Sequence, residues 1–143
     1  VRRADITDAL VVQCIRLLID DCFPPGTLAD NARTPKDGVW WLVWRGSEAV
    51  AFTGIKESTV YPGNGYIALQ GVVPKHRGQQ LQLRMIRVAQ RYAQSQGWAE
   101  LITETIHDNA RSGNTMIRAG FKMFAPVHPW NNAPVCYWRK VVQ

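Results

Sequence analysis

Val72-Val73-Pro74-Lys75-His76-Arg77-Gly78-Gln79-Gln80-Leu81-Gln82 joins a strand to a helix through a polar, Gly-containing loop, and its reading decides the fold. Tyr66 to Val73 has the composition of a strand, which Pro74 ends. From Gln80 to Gln96, Leu81, Met85, Ala89, Tyr92 and Ala93 recur at helical spacing, and Gly97 is a natural C-cap. The free N–H groups and the dipole at that helix start form an anion site, to which Arg77 adds charge. Gly78 lets the backbone approach a ligand. Many strand-to-helix loops contain Arg-Gly, so a purely structural loop stays equally open on these residues alone.

Working toward the N-terminus, Glu48 to Glu57 and Val39 to Trp44 read as the two strands of a hairpin turned at Gly46-Ser47. Pro62-Gly63-Asn64-Gly65 turns the chain from the second of these into the Tyr66 strand, so the run is an antiparallel meander. Val39 to Trp44 is apolar on both faces, as a buried strand is. A helix capped by Thr7 or Asp8 precedes it, with Leu10, Val11, Cys14, Ile15, Leu18 and Cys22 at helical spacing. Phe23-Pro24-Pro25-Gly26 stops this helix, and Val1 to Ala4 is a short edge strand.

Working toward the C-terminus, Leu101 to Ile106 is a strand. Asp108 or Asn109 caps a helix ending at Gly120, and Phe121 to Phe124 and Val135 to Val142 are two last strands. The order is β-α-β-β-β-α-β-α-β-β. The helix between the fourth and fifth strands makes that pair parallel. The expected fold is α/β or α+β, with a central mixed, mostly antiparallel sheet and helices on both faces, in one domain over residues 1–143.

Bulk properties narrow the function classes. A hydrophobic fraction of 46% with 20% charged residues is a globular balance, not a disordered one. Cys14, Cys22 and Cys136 are odd in number and lack C-x-x-C spacing, so neither a disulfide framework nor a metal site is read, and the cytoplasm is the expected compartment. Leu10 to Ile19 contains Gln13 and Arg16 and is too short and too polar to span a membrane; it also lacks a small-residue cleavage site. The formal charge of +6 suits a polyanionic ligand or a solvated basic face. Nucleic acid ranks last, because exposed aromatics do not interleave with the basic residues.

A second stretch runs from Asn109, just after a strand, to Gly120-Phe121. The Asn109 side chain either caps the helix or holds a ligand amide. Together the two stretches resemble the GNAT N-acetyltransferase family. That family carries V-x-P-x-x-[QR]-G-x-G-x-[GA] after its fourth strand, then a strand, an Asn and a Tyr-x-x-x-Gly-Phe. Val72, Pro74, Arg77 and Gly78 match the first motif; Asn109, Gly120 and Phe121 match the second. Arg77-Gly78 with Leu81-Gln82, Ile117 to Phe121 and the final Tyr137-Trp138-Arg139-Lys140 are similar to GNAT proteins of bacteria and phages. Gln80 and Gln82 replace the two later glycines, and Met116 stands where the family has its Tyr. In the family that Tyr commonly protonates the leaving thiolate, and methionine has no proton to give. A thiolate with a pKa near ~8.5 leaves fairly well without an acid.

The resemblance implies transfer of an acetyl group from acetyl-CoA to a primary amine, on a small molecule or a protein, by direct attack on the thioester. The implied cofactor contacts are Val72, Val73, Arg77, Gly78, Gln79, Gln80, Leu81, Gln82, Asn109 and Met116. The pantetheine would pair with the exposed Gln70 to Val73 strand where the fourth and fifth strands splay, and a backbone N–H near Val72 or Val73 would meet the oxyanion. A base must deprotonate the amine. The candidates are Glu104, set by alternation on the face opposite Thr103 and Thr105, and then Glu57. A surface glutamate on a half-exposed strand is an equal reading of Glu104. His76 and His107 have suitable intrinsic pKa values but fit loop or phosphate contacts, and Tyr137 and Ser112 are candidate acids. Trp130 lines a substrate pocket or anchors a loop. The substitutions at Gln80, Gln82 and Met116 leave a catalytically weakened acyl-CoA-binding module as the alternative. The last strand and the Trp-rich sheet can support a homodimer.

Overall fold

Asp8 starts the first helix: its carboxylate accepts from Leu10 N at 2.9 Å, satisfying an amide that the helix start leaves unpaired. The computed structural model describes residues 1–143. Seven strands and three helices follow in the expected order: β1 (Arg2–Ala4), α1 (Ala9–Cys22), β2 (Val39–Arg45), β3 (Glu48–Glu57), β4 (Gly65–Val72), α2 (Leu81–Ser95), β5 (Glu100–Ile106), α3 (Ala110–Arg118), β6 (Lys122–Phe124) and β7 (Val135–Val141). Single 3₁₀ turns occupy Asp30–Ala32 and Pro74–His76, both within stretches that read as loop. The strands are mixed and mostly antiparallel. They divide between two compact units, Val1–Lys56 with Ala68–Met85, and Glu57–Ile67 with Ile86–Gln143; β4 and α2 each run from one into the other.

In the first unit the strand order is β1-β2-β3-β4. β1 and β3 flank β2 antiparallel, with Arg3 opposite Trp41 and Leu42 opposite Phe52. Gly46, at φ +60, makes the β2–β3 turn, and the register shifts between Val43 and Trp44. The core joins Ile15, Leu18 and Ile19 of α1 to Trp40, Leu42 and Phe52 of the strands and to Leu81 and Met85 of α2. The three α1 residues are spaced three and one apart, which places them on one stripe of the helix. Trp40 stacks near Phe52, with ring centroids 6.4 Å apart.

In the second unit the order is β4-β5-β7-β6. β4 and β5 run parallel, with Gly65 opposite Leu101 and Tyr66 opposite Ile102, as the intervening helix requires. At the next position the Thr103 hydroxyl donates to the Ile67 carbonyl at 3.0 Å. β7 pairs antiparallel with β5 along its whole length and with β6 beyond. Side chains alternate between faces along a strand. The registers Glu104↔Tyr137 and Phe124↔Tyr137 therefore set Tyr66, Glu104, Tyr137 and Phe124 in one row on one face. The opposite face carries Thr103, buried Trp138 and Met123. α3 lies against that opposite face, where a methyl on Gly113 would sit 3.6 Å from Trp138. Lys140 ties the end of α3 to α2, donating to the Ala119 carbonyl at 2.7 Å and to Gln90 Oε1 at 2.9 Å.

Phe121 leaves the strand that its sequence suggests. Its N–H donates to the Met116 carbonyl at 3.0 Å while Gly120 sits at φ +89, so Phe121 closes the end of α3 and β6 begins at Lys122.

Candidate active site

In the first unit, the loop after β4 is built by short-range bonds. His76 N donates to Val73 O at 3.0 Å and Arg77 N to Pro74 O at 3.3 Å, which makes the tight turn that Pro74 begins. The Arg77 guanidinium folds back, its Nε donating to Val72 O at 3.1 Å, with the rest of the side chain exposed. Gly78 has φ +81 and Gln80 has φ +58. Left-handed residues just before a helix turn successive N–H groups toward one concavity, which attracts anions. Gln79 lies between them, and Leu81, Gln82 and Leu83 then supply the N–H groups of the first turn of α2, which opens with Arg84 N bonded to Gln80 O at 3.1 Å.

Two buried polar atoms beside this loop have no partner, Gln70 Oε1 and His76 Nδ1. The Gln70 amide nitrogen is used, donating to Thr53 Oγ1 at 3.3 Å. Of the two candidate oxyanion donors, Val73 is already committed: its N–H donates to the Val50 carbonyl at 2.9 Å. The expectation is corrected there, because an N–H that closes a strand contact is not free to meet developing charge. Cys22 lies in the same unit, and burial pushes its thiol up to about 11, against a smaller pull from Arg77.

In the second unit, Glu104 is half-buried and both its oxygens are held. The Tyr66 hydroxyl donates to Oε1 at 2.5 Å and Trp130 Nε1 donates to Oε2 at 2.8 Å. No lysine, arginine or histidine pairs with it. Burial raises the carboxyl above its ordinary value, and the bonds from Tyr66, Trp130 and Asn131 pull it partly back. Tyr66 is itself raised, by burial first and then by the Glu104 charge, so it stays a neutral donor at neutral pH.

Aromatic rings surround this carboxylate. Trp130 lies 4.5 Å from Tyr137, 6.0 Å from Tyr66 and 6.3 Å from Tyr61, each at a steep angle, and 6.5 Å from Phe124. The loop between β6 and β7 that carries Trp130 is fixed at Asn131. The Asn131 N–H donates to the Tyr137 hydroxyl at 3.2 Å, which donates to the Asn131 carbonyl at 3.3 Å. Trp130 is thus a loop anchor, seated on the carboxylate.

The other candidates have other partners. Glu57 is exposed and accepts from Gly63 N at 3.0 Å within the β3–β4 turn. Asn109 caps α3, its Oδ1 accepting from Ser112 N at 3.1 Å. Met116 is 2% exposed, packed inside the second unit. Exposed His107 faces Asp108 at 3.7 Å. Sequence reasoning missed Tyr66, Tyr61 and Phe124. Period-2 alternation could place Tyr66 on a face, but only the β4–β5 register puts it beside Glu104. No group of three or more His, Cys, Asp or Glu side chains is placed to hold a metal ion, and no helix is long and apolar enough to cross a membrane.

Residues 8–121 match the model of the acetyltransferase (GNAT) family. No curated protein sequence matches the chain. Among solved structures, the fold is similar to a Desulfovibrio desulfuricans protein assigned to the GNAT acetyltransferases, with TM-score 0.79 and 16% identity over 99% of this chain and 98% of that one. It is similar to an aminoglycoside 6′-N-acetyltransferase complexed with coenzyme A, with TM-score 0.77 and 11% identity over 100% and 98% of the two chains. It is also similar to a Bacillus subtilis acetyltransferase in complex with CoA, with TM-score 0.72 and 12% identity over 90% and 91%.

Proposed function

Because the chain belongs to the acetyltransferase (GNAT) family, we propose that it moves an acetyl group from acetyl-CoA to a primary amine by direct attack, with Glu104 as the base. The observation that carries this reading is the Glu104 carboxylate itself, half-buried, lacking any basic partner and held between two neutral donors. A carboxylate raised by burial accepts a proton more readily than an ordinary surface glutamate. Its donors fix its orientation and still leave a lone pair for an amine, since a carboxylate offers about four acceptor sites.

The residues of the first unit suit the cofactor. Arg77, Gly78, Gln79, Gln80, Leu81 and Gln82 would hold the pyrophosphate of acetyl-CoA, and the unpaired Gln70 Oε1 and His76 Nδ1 offer polar partners close by in sequence. When bound, acetyl-CoA supplies an activated acetyl thioester. Gln80 keeps the left-handed backbone that the family motif assigns to glycine, which supports a working cradle over the weakened acyl-CoA-binding module. Val72 remains the oxyanion candidate now that Val73 is committed. Asn109 stays with the second motif as a proposed contact, whereas Met116, buried in the core, is corrected to a packing residue.

Titration with acetyl-CoA by calorimetry, with Arg77→Ala as comparison, tests the cofactor half. Binding in the micromolar range, weakened about tenfold or more by Arg77→Ala, is expected. Thiol release with an amine panel tests the transfer, and Glu104→Gln should lower kcat at least a hundredfold. No binding of acetyl-CoA at millimolar concentration, or full turnover by Glu104→Gln, would overturn the reading.

A further inference from the structure

The aromatic group around Glu104 has a charge balance that restricts what it can receive. Beside Glu104, the acidic residues of the second unit are Glu57, Glu100 and Asp108. Glu57 is exposed in the β3–β4 turn, where it accepts from Gly63 N. Glu100 sits four residues along β5, roughly 13 Å away at strand spacing. The Asp108 side chain is 98% exposed and faces His107. Among the side chains bonded to these rings, Glu104 is the one carboxylate.

Its remaining surroundings are rings and cations. Arg139 places its guanidinium 5.1 Å from the centre of the Phe124 ring, and Lys122 stands opposite Arg139 in the β6–β7 register. A second positive charge on the acceptor would meet these side chains and a chain of net charge +6. A single ammonium, by contrast, gains a carboxylate that has no basic partner and lies beside the rings of half-buried Trp130, Tyr66 and Tyr137. The body carrying that ammonium would continue along Tyr61 and Phe124, whose rings accept apolar or aromatic carbon and offer no charged group to satisfy.

We propose that the acceptor is a compact primary monoamine with an apolar, ring-bearing body, its ammonium received by Glu104 and its body lying along Trp130, Tyr137, Tyr61 and Phe124. This rests on Glu104 being the base of the transfer. After the amine proton passes to Glu104, nitrogen forms its bond to the acetyl carbon and the carbon–sulfur bond breaks. The electron pair leaves on sulfur, and the second nitrogen proton passes through solvent to the thiolate, so the products are the amide and the CoA thiol. Polyamines and lysine-rich peptides are disfavoured by charge.

The test uses the full chain with 2-phenylethylamine, spermidine and a lysine-rich peptide, read by thiol release. Amine binding is read separately by quenching of tryptophan fluorescence, with Trp130→Phe as the control for its source. A kcat/KM for 2-phenylethylamine about 10- to 100-fold above both polycations is expected. Phe124→Leu and Trp130→Leu should each raise its KM several-fold, with acetyl-CoA binding by calorimetry reporting whether each variant is folded. Tyr61→Phe, which keeps the ring, should restrict the KM change to less than about twofold. Equal or better use of spermidine or the peptide overturns the proposal and leaves the acetyltransferase reading standing. So does a KM for 2-phenylethylamine that neither leucine variant moves, or no thiol release from 2-phenylethylamine by protein that binds acetyl-CoA. Loss of acetyl-CoA binding with retained 2-phenylethylamine quenching sinks the acetyltransferase reading and leaves the amine site. Absence of that quenching sinks the amine site whatever acetyl-CoA does.

Discussion

Replacing Tyr66 by Phe removes one hydroxyl from the 2.5 Å bond to Glu104 Oε1 and leaves the ring in place. The cost depends on the charge of the acceptor. A hydrogen bond to a charged group contributes about 1.5–3 kcal/mol, against about 0.5–1.5 kcal/mol for a neutral one. Trp130 still holds Oε2, so the orientation of the carboxylate survives. Glu104 is already raised by burial, so its ionisation disfavours the native state. Its contribution is most favourable below the ordinary carboxylate range and falls as pH rises through the raised native value. The Tyr66 bond opposes that fall because it favours the ionised form. Without it the native value moves further up and the fall deepens.

Tyr66→Phe should therefore cost about 1 kcal/mol more at neutral pH than near the acid end of the folded range. Urea melts of both proteins across that range give the difference directly. Tyr137→Phe is the control. Its hydroxyl bonds the Asn131 backbone, which carries no charge, so its cost of about 1 kcal/mol should not vary with pH. A Tyr66→Phe penalty that is flat with pH, or larger in acid, would refute the role given to this donor.

Two further outcomes follow from backbone and packing. Gln80→Gly should stabilise the chain by up to about 1 kcal/mol, since relief of a left-handed non-glycine residue, worth roughly 1–2 kcal/mol, exceeds the extra unfolded-state entropy of glycine; a loss of thermal stability would mean that the Gln80 side chain does more than tolerate φ +58. Gly65→Ala places a methyl 2.5 Å from Trp98 Cε3 and 2.9 Å from Leu101 Cδ2, and should cost about 1–3 kcal/mol in urea melts, with a change under about 0.5 kcal/mol showing that the Trp98 ring swings freely aside.

The sequence by itself determined the elements and their order, because each signal is local. Asp8 and Asn109 cap helices, Gly97 and Gly120 follow helix ends, Pro74 stops a strand, and the apolar spacing of Leu81, Met85 and Ala89 turns once every 3.6 residues. The loop after β4 was legible for the same reason, since an Arg-Gly pair before a helix start describes its own backbone. Tertiary structure alone decided which residues meet Glu104. Tyr66 lies 38 residues before it and Trp130 lies 26 after it, and alternation assigns a strand residue to a face without naming its neighbour across the sheet. Tertiary structure also decided that the Val73 N–H is given to the Val50 carbonyl and that Asn109 spends its side-chain oxygen on Ser112. A polar group's type is fixed by its residue, but its partner is fixed by register and by loop closure, which sum weak contacts over the whole chain.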